Sequence, residues 1–277
     1  MPQPNRSILI SRYLRPVLLG LGTATLLAAC KTPPTVQEKT ADWSPNRIYS
    51  EARDERLSGG YDQAIPLYDV LEARAQGTPL AQQAQLEKAY AQYQNEDYVD
   101  ANLTLDRFIQ MHPTSPALDY AYYLKGLVNF NEQSGWLDFL NANDLSERDM
   151  AAARESFAAF KELTTRFPNS RYTPDARARM TYIVNAMASS EVAIANYYFS
   201  REAYVAAINR AQSTLTNYPG TPAQEQALGI MVQSYHAMGM EQPRDDALRV
   251  LKENFPQSRY LDVNHKVKEK RSWFRLW

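Results

Sequence analysis

Side chains that could carry out catalysis or bind a metal are few in this sequence and far apart. Its three histidines, His112, His236 and His265, each lack a second His, a Cys or a carboxylate at the spacing of metal ligands. Acidic pairs such as Asp245 and Asp246 have arginines as neighbours, as on solvated helix faces. No Ser-x-x-Lys or Gly-x-Ser-x-Gly nucleophile motif is present. The sequence therefore predicts a protein that is not an enzyme and uses no metal or other cofactor.

Covalent chemistry is indicated at one position, Cys30, the only cysteine of 277 residues. Three arginines and no acidic residue precede the apolar run Val17 to Leu27, which is too short to span a membrane and typical of a secretory signal. The run ends in Leu27-Ala28-Ala29-Cys30, which resembles the lipobox of bacterial lipoproteins; the alternative is an incidental or buried thiol. The resemblance implies that residues 1–29 are removed and that Cys30 becomes lipidated and anchors the chain. Lys31 after the cysteine then implies sorting to the outer membrane.

The chain that would remain after removal of the signal is negatively charged and begins with a Pro-rich segment. Removing residues 1–29, with three arginines and no acidic residue, changes the net charge from −1 to −4. A negative chain of this kind is not expected to bind nucleic acid. Residues 30–45 contain several prolines and little apolar periodicity, which predicts an extended, Pro-rich lipid tether whose one anchor-like residue is Trp43.

The remaining chain is organised by a repeat, seen first between Val99 and Pro116. Apolar Ala101, Leu105, Phe108 and Ile109 form one stripe of a helix that Pro113 ends. The same ending recurs as Phe167-Pro168, Tyr218-Pro219 and Phe255-Pro256. Each repeated ending predicts a helix that stops at the proline and a second helix that follows at once.

Counting back from each proline tests whether these endings share one register. The position twelve residues earlier holds Ala101, Ser156, Ala207 and Arg244, and the position eight residues earlier is always apolar. This approximates half of the tetratricopeptide pattern, a helix pair of about 34 residues in which small residues allow close packing. The alternative is an irregular helical domain. The sequence thus predicts an all-α, right-handed solenoid of about five tetratricopeptide-like helix pairs.

The predicted boundaries place five repeats within residues 46–262 and a basic, aromatic tail at 263–277. The repeats are expected at about 46–78, 79–115, 116–172, 173–221 and 222–262. Repeat three carries a polar insertion near Asn131 to Asp149, which predicts a long loop, often a functional feature. Repeat four shows no helix breaker until about Ser200, so its extra residues are expected to lengthen its first helix.

The combination of lipobox, short tether and five helical repeats resembles the BamD (ComL) family of outer-membrane lipoproteins. The resemblance covers roughly residues 10–260. The segments that carry it are Pro45 to Tyr49, Leu105 to Ile109 with His112-Pro113, Tyr122 to Leu127, Phe167 to Thr173 and Val205 to Arg210. The sequence departs from the family in the missing aromatic-proline ending of repeat one and in its longer basic tail.

The resemblance implies a lipid-anchored scaffold on the periplasmic side of the outer membrane, within the machinery that inserts β-barrel proteins. The implied partners are the POTRA region of a BamA-type barrel protein, a BamC-type lipoprotein and unfolded outer-membrane proteins. The alternative is a lipid-anchored repeat protein that regulates cell-wall enzymes. Copurification separates the two, since only the first predicts an integral barrel protein as the main partner.

A substrate groove is expected where the first helices of repeats one and two line the concave surface. The exposed positions in this register are Asn46, Tyr49, Arg53, Arg56, Gln83, Leu86, Tyr90 and Tyr93. By the resemblance, substrates end in an aromatic segment with a free carboxylate. Tyrosine faces would receive the rings and arginines the carboxylate. In the alternative interpretation, some of these tyrosines belong to the repeat core.

Two further surfaces are predicted in the C-terminal half. Arg210 is offset from the apolar stripe of Val205, Ile208, Ala211 and Leu215 and lies near the turn that begins at Tyr218, which favours a contact with the barrel protein. The alternative for Arg210 is a surface salt bridge. The tail, with five basic residues and three interleaved aromatics, suits an anionic membrane surface or a partner groove, or is a solvated terminus.

Overall fold

The structure, a computed structural model, describes residues 35–131 and 147–262. Within these ranges the chain forms eleven α-helices and one 3₁₀ turn. They are α1 Val36–Lys39, α2 Pro45–Leu57, α3 Tyr61–Arg74, α4 Pro79–Gln94, α5 Tyr98–Met111, α6 Leu118–Asn131, α7 Glu147–Arg166, α8 Thr173–Ser200, α9 Tyr204–Asn217, α10 Ala223–Ala237, α11 Glu241–Asn254 and the turn Arg259–Leu261.

From α2 onward, each helix packs against the next, so that α2 to α11 form five antiparallel pairs. The first helices of neighbouring pairs also meet, as α4 with α6 and α8 with α10. Four buried apolar clusters follow one another along the chain and join each pair to its neighbours. The predicted all-α arrangement of tetratricopeptide-like pairs is confirmed.

Local sequence signals explain where the helices begin and end. Ser44 and Thr78 cap α2 and α4 by accepting hydrogen bonds from the backbone N–H three residues on, and a proline follows each cap. The aromatic-proline endings share one backbone conformation, with φ of −125°, −128° and −133° at His112, Tyr218 and Phe255. A residue before proline is forced out of the helical region, which is why the helix stops there.

Close packing of neighbouring helices depends on the small residues of the repeat. Ala101, Ser156 and Ala207 are fully buried, as the register predicted. Gly126 on α6 lies against Phe160 on α7, and a Cβ at this glycine would overlap the ring. The absence of a side chain therefore permits the two helices to approach, and a methyl group here would force the ring or a helix to move.

Helix α8 spans 28 residues, which confirms that the extra residues of repeat four lengthen its first helix. Most of the predicted insertion of repeat three, residues 132–146, lies outside the described residues. Its last three residues, 147–149, are not loop but the start of α7. The whole tail at 263–277 also lies outside the described residues.

The prediction of an extended tether through residue 45 is wrong for residues 35–44. Thr35 caps the short helix α1 in a reciprocal capping box with Glu38. Nη1 of Arg74 on α3 lies 2.7 Å from the carbonyl oxygen of Thr40 and also donates to the carbonyls of Ala41 and Trp43. The physical reason for the difference is this tertiary contact, because one guanidinium satisfies three carbonyls that an extended tether would leave to water.

Candidate functional site

A cavity of about 310 Å³ lies on the face formed by the first helices of the N-terminal repeats. Its lining residues are Arg56, Gln83, Leu86, Glu87, Tyr90 and Tyr120. Arg56 comes from α2, four of the others from α4 and Tyr120 from α6. The structure therefore brings predicted groove residues of repeats one and two together, and it adds Glu87 and Tyr120, which the sequence reasoning missed.

Arg56 is held by a carboxylate of the protein itself. Its Nε lies 2.6 Å from Oε2 of Glu87, and the two side chains are only 17% and 22% exposed. The guanidinium carbon also lies 5.5 Å from the centre of the Tyr90 ring, within cation–π range. Arg56 therefore forms part of the cavity wall and is already neutralised by a fixed partner.

Glu87 influences the tyrosines around it. Tyr68 donates a 3.3 Å hydrogen bond from its hydroxyl to Oε2 of Glu87. Burial raises the pKa of Tyr49, Tyr68 and Tyr120, and the negative charge of Glu87 raises the pKa of each further. At Tyr49 and Tyr120 the charge of Glu87 acts more strongly than the opposite charge of Arg56, whereas Arg56 lowers the pKa of Tyr68 both by its charge and through a hydrogen bond.

Tyr49 and Arg53 lie beside the cavity, on the same face of α2 as Arg56. The Tyr49 hydroxyl accepts a 2.5 Å hydrogen bond from Nε2 of Gln83, which links the two repeats. The positive charge of Arg53 lowers the pKa of Tyr49, although burial and Glu87 raise it overall. Arg53 is exposed and has no hydrogen bond or ion pair with another described residue. Its guanidinium is therefore available to an anionic group of a ligand.

Tyr93 does not line the cavity. Its ring lies 6.5 Å from the ring of Tyr90 and 6.3 Å from that of Tyr98, and all three pack against the core of repeat two. Burial raises the pKa of Tyr93, and the charge of Arg179 on α8 lowers it by a smaller amount. Tyr93 therefore packs with the core of repeat two, as in the alternative interpretation of the sequence.

A second aromatic group continues the surface into repeats three and four. Tyr172 stacks on Tyr123 with ring centres 4.7 Å apart and lies 5.7 Å from Tyr120. The Tyr123 hydroxyl donates to Oδ2 of Asp175, which also accepts from Nε of Arg179. The same register that selected Tyr90 would have found Tyr120 and Tyr123, had it been extended to the first helix of repeat three.

The charge of Glu191 acts on both predicted partner-interface residues, Arg210 and Tyr218. Nη1 of Arg210 lies 3.3 Å from Oε2 of Glu191, with the arginine side chain 46% exposed and the glutamate 12% exposed. Burial and the charge of Glu191 raise the pKa of Tyr218. Val205, which the sequence placed in the apolar stripe of this helix, is not buried, because it is 59% exposed at the start of α9.

The predicted lipid site lies outside the described residues, and a search of the described residues for membrane-spanning helices and metal sites adds two findings. Cys30 is outside these residues, and its lipidation stays a prediction. In residues 35–131 and 147–262, no helix combines the length and the apolar character needed to cross a membrane. The same residues contain no group of three or more His, Cys, Asp or Glu side chains that could hold a metal ion.

Comparison with known proteins gives consistent matches. The family model described as YfiO, outer membrane lipoprotein, matches residues 41–251. Outer membrane protein assembly factor BamD of Neisseria meningitidis serogroup A is 41% identical over 267 residues, which is 95% of this chain and all of the relative. The protein of the same name from Vibrio cholerae is 34% identical over 223 residues, covering 80% of this chain and 91% of the relative.

Proposed function

The chain belongs to the family of outer membrane lipoproteins that includes the assembly factor BamD, and we propose that it serves as a lipid-anchored scaffold in the assembly of β-barrel proteins at the outer membrane. The match over residues 41–251 and the relatives' names support this role. Those names give no support to the alternative role, the regulation of cell-wall enzymes. The solenoid architecture also fits a scaffold, since stacked helix pairs offer extended binding surfaces.

The proposed place of action is the periplasmic face of the outer membrane, where lipid at Cys30 would hold the protein. The proposed partners are the POTRA region of a BamA-type barrel protein, a BamC-type lipoprotein and unfolded outer-membrane proteins. The role is a binding role, and no catalytic step is proposed. Purification from membranes in mild detergent tests it: an integral barrel protein is expected as the main partner. Recovery of cell-wall enzymes in its place would overturn the proposal.

The cavity lined by the first helices of repeats one, two and three is the proposed site for the C-terminal segment of an unfolded barrel protein. The observation that carries this assignment is an open cavity of about 310 Å³ with Leu86 and the rings of Tyr90 and Tyr120 in its lining. Leu86 is buried and supplies an apolar surface, and the aromatic rings can contact an inserted ring. The exposed Arg53 is proposed to bind the terminal carboxylate, since Arg56 is already paired with Glu87.

A labelled peptide that ends in Phe tests the site by fluorescence anisotropy with the detergent-extracted protein. Tyr90→Ala is expected to weaken binding about tenfold, because it removes one aromatic wall. Arg53→Gln is expected to abolish the preference for the free-acid peptide over its amide. The control is Tyr197→Ala, which removes a 52% exposed tyrosine at the far end of α8. Unchanged affinity in Tyr90→Ala would contradict the assignment of the cavity.

A further inference from the structure

The candidate cavity contains a fixed negative charge, Glu87, that a site designed only to attract a carboxylate would not need. We infer that Glu87 is a specificity-determining residue, which excludes acidic side chains from the segment that occupies the cavity. The inference rests on the proposed peptide-binding function and adds to it the chemical class of the ligand. That ligand is a segment with an aromatic side chain in the cavity and neutral or basic residues on the same side.

The position of Glu87 is fixed from two sides. Arg56 on α2 approaches Oε2 to 2.6 Å, and the Tyr68 hydroxyl on α3 donates to the same oxygen at 3.3 Å. Both contacts come from repeat one, whereas Glu87 belongs to repeat two. The carboxylate therefore cannot turn away from an incoming group without breaking contacts between the repeats.

The side chain of Glu87 is also accessible from the cavity. It is one of the lining residues, and its side chain is 22% exposed. Because it is mostly withdrawn from bulk water, its field is screened less than that of a surface carboxylate. The stronger effect of Glu87 than of Arg56 on the pKa of Tyr120, which lines the cavity, agrees with a negative potential on the cavity side of the pair.

The arrangement separates two anionic positions along a bound segment. A terminal carboxylate can be met by Arg53, which is exposed on α2 and is not a lining residue of the cavity. A second carboxylate inside the cavity would meet Glu87 with Arg56 already paired. Neutral side chains avoid this repulsion, and a basic side chain would be attracted. Glu87 thus selects against acidic neighbours of the inserted ring while leaving the free C-terminus acceptable.

Two labelled peptides test the inference with the detergent-extracted protein. Both end in a free-acid Phe and differ only two residues before it, where one carries Gln and the other Glu. In an extended chain this position lies on the same side as the terminal ring. We expect the protein to bind the Gln peptide about tenfold more tightly, and we expect Glu87→Gln to remove or reverse that difference.

Control variants keep the result interpretable. Glu72→Gln changes the net charge equally but removes a carboxylate that pairs with Lys88 and lines a different cavity, so it should keep the wild-type preference. Arg56→Gln/Glu87→Gln removes both members of the ion pair, so that an unpaired arginine cannot explain the outcome, and it should also lose the preference. Helical circular dichroism checks that each variant is folded.

The possible results separate this inference from the proposed function. Equal binding of both peptides by the wild-type protein would overturn the role of Glu87 and leave peptide binding intact. Persistence of the preference in folded Glu87→Gln would overturn it as well. Binding of neither peptide above the level of a control peptide in which every aromatic residue is replaced by Ala would overturn the proposed groove function and this inference with it.

Discussion

Nζ of Lys88 lies 2.9 Å from Oδ1 of Asp69, and this ion pair joins the second helix of repeat one to the first helix of repeat two. The same contact recurs one repeat later between Lys125 and Asp106. The lysines differ in burial, since the Lys88 side chain is 5% exposed and that of Lys125 is 20% exposed. Lys88 has an additional partner in Glu72, 2.8 Å away. The lysine of this repeated ion pair is therefore more deeply buried between repeats one and two than between repeats two and three.

The difference in burial predicts different losses of stability in this matched pair. Lys88→Ala is expected to lower the free energy of unfolding by about 2–3 kcal/mol, because it leaves two carboxylates without their buried partner. Lys125→Ala is expected to cost about 1 kcal/mol or less, as for a more exposed pair. Urea denaturation followed by circular dichroism measures both values. Equal losses in the two variants would show that burial does not control the strength of this contact.

Arg74 predicts a local change in the N-terminal segment. Arg74→Ala removes the hydrogen bonds to the carbonyls of Thr40, Ala41 and Trp43. Backbone amides of residues 36–44 are then expected to exchange with deuterium about tenfold faster, while those of the repeats stay protected. Arg107→Ala is the control, because this exposed arginine forms no ion pair or hydrogen bond with another described residue. Unchanged exchange in Arg74→Ala would mean that packing alone holds the segment.

The predicted lipid at Cys30 is expected to determine where the protein is located. If the lipid is the anchor, Cys30→Ala should move the protein from the membrane fraction to the soluble periplasmic fraction. Stable anchoring by acyl chains accounts for this expectation, and the described helices offer no membrane-spanning alternative. Fractionation in a strain that lacks the proposed partners measures it. Membrane retention of the variant in that strain would point to a second anchor.

Arg210 and Glu191 provide a test of the proposed contact with the barrel protein. Arg210→Glu places two carboxylates together and reverses the exposed charge, so copurification of the barrel protein should fall about tenfold or more at moderate salt. Glu191→Gln breaks the same ion pair but leaves Arg210 exposed and positive, and it should preserve copurification. Loss of the partner in both variants would instead assign the ion pair a purely structural role.

The hydrogen bonds of Asp175 predict how the stability of the protein changes at acid pH. Burial raises the pKa of this carboxyl, but hydrogen bonds from Arg179 and Tyr123 lower it by more, so the folded-state pKa lies below the ordinary value. A carboxyl with a depressed pKa adds stability above its ordinary pKa of about 4, and that contribution disappears as the pH falls through the lowered value.

Asp175→Asn should therefore make the melting temperature fall less steeply between about pH 5 and about pH 2. Thermal unfolding across this range measures the slope. Asp246→Asn serves as the control, since its carboxylate is 61% exposed in a surface pair with Arg249. If both variants and the wild-type protein share one slope, the contacts with Arg179 and Tyr123 do not contribute to acid stability.

The sequence by itself determined the features that depend on local chain chemistry. The proline endings, small residues and apolar stripes specify helix pairs, because backbone sterics and one-sided burial act within a few residues. For that reason the all-α repeat architecture and the long α8 were predicted, and Ala101 and Phe108 were placed in the core. The same register found four residues of the cavity lining, Arg56, Gln83, Leu86 and Tyr90.

Only the tertiary structure decided which charges neutralise one another and which segments dock. Glu87 was not distinguishable from any exposed glutamate until α2 and α4 were packed together and Arg56 met it at 2.6 Å. Likewise, no local pattern indicates that Arg74 would reach back to the carbonyl of Thr40 and fold the supposed tether onto repeat one. Such contacts join residues distant in sequence, and their strength depends on exclusion of water by the packed helices, which a periodic pattern in one helix does not encode.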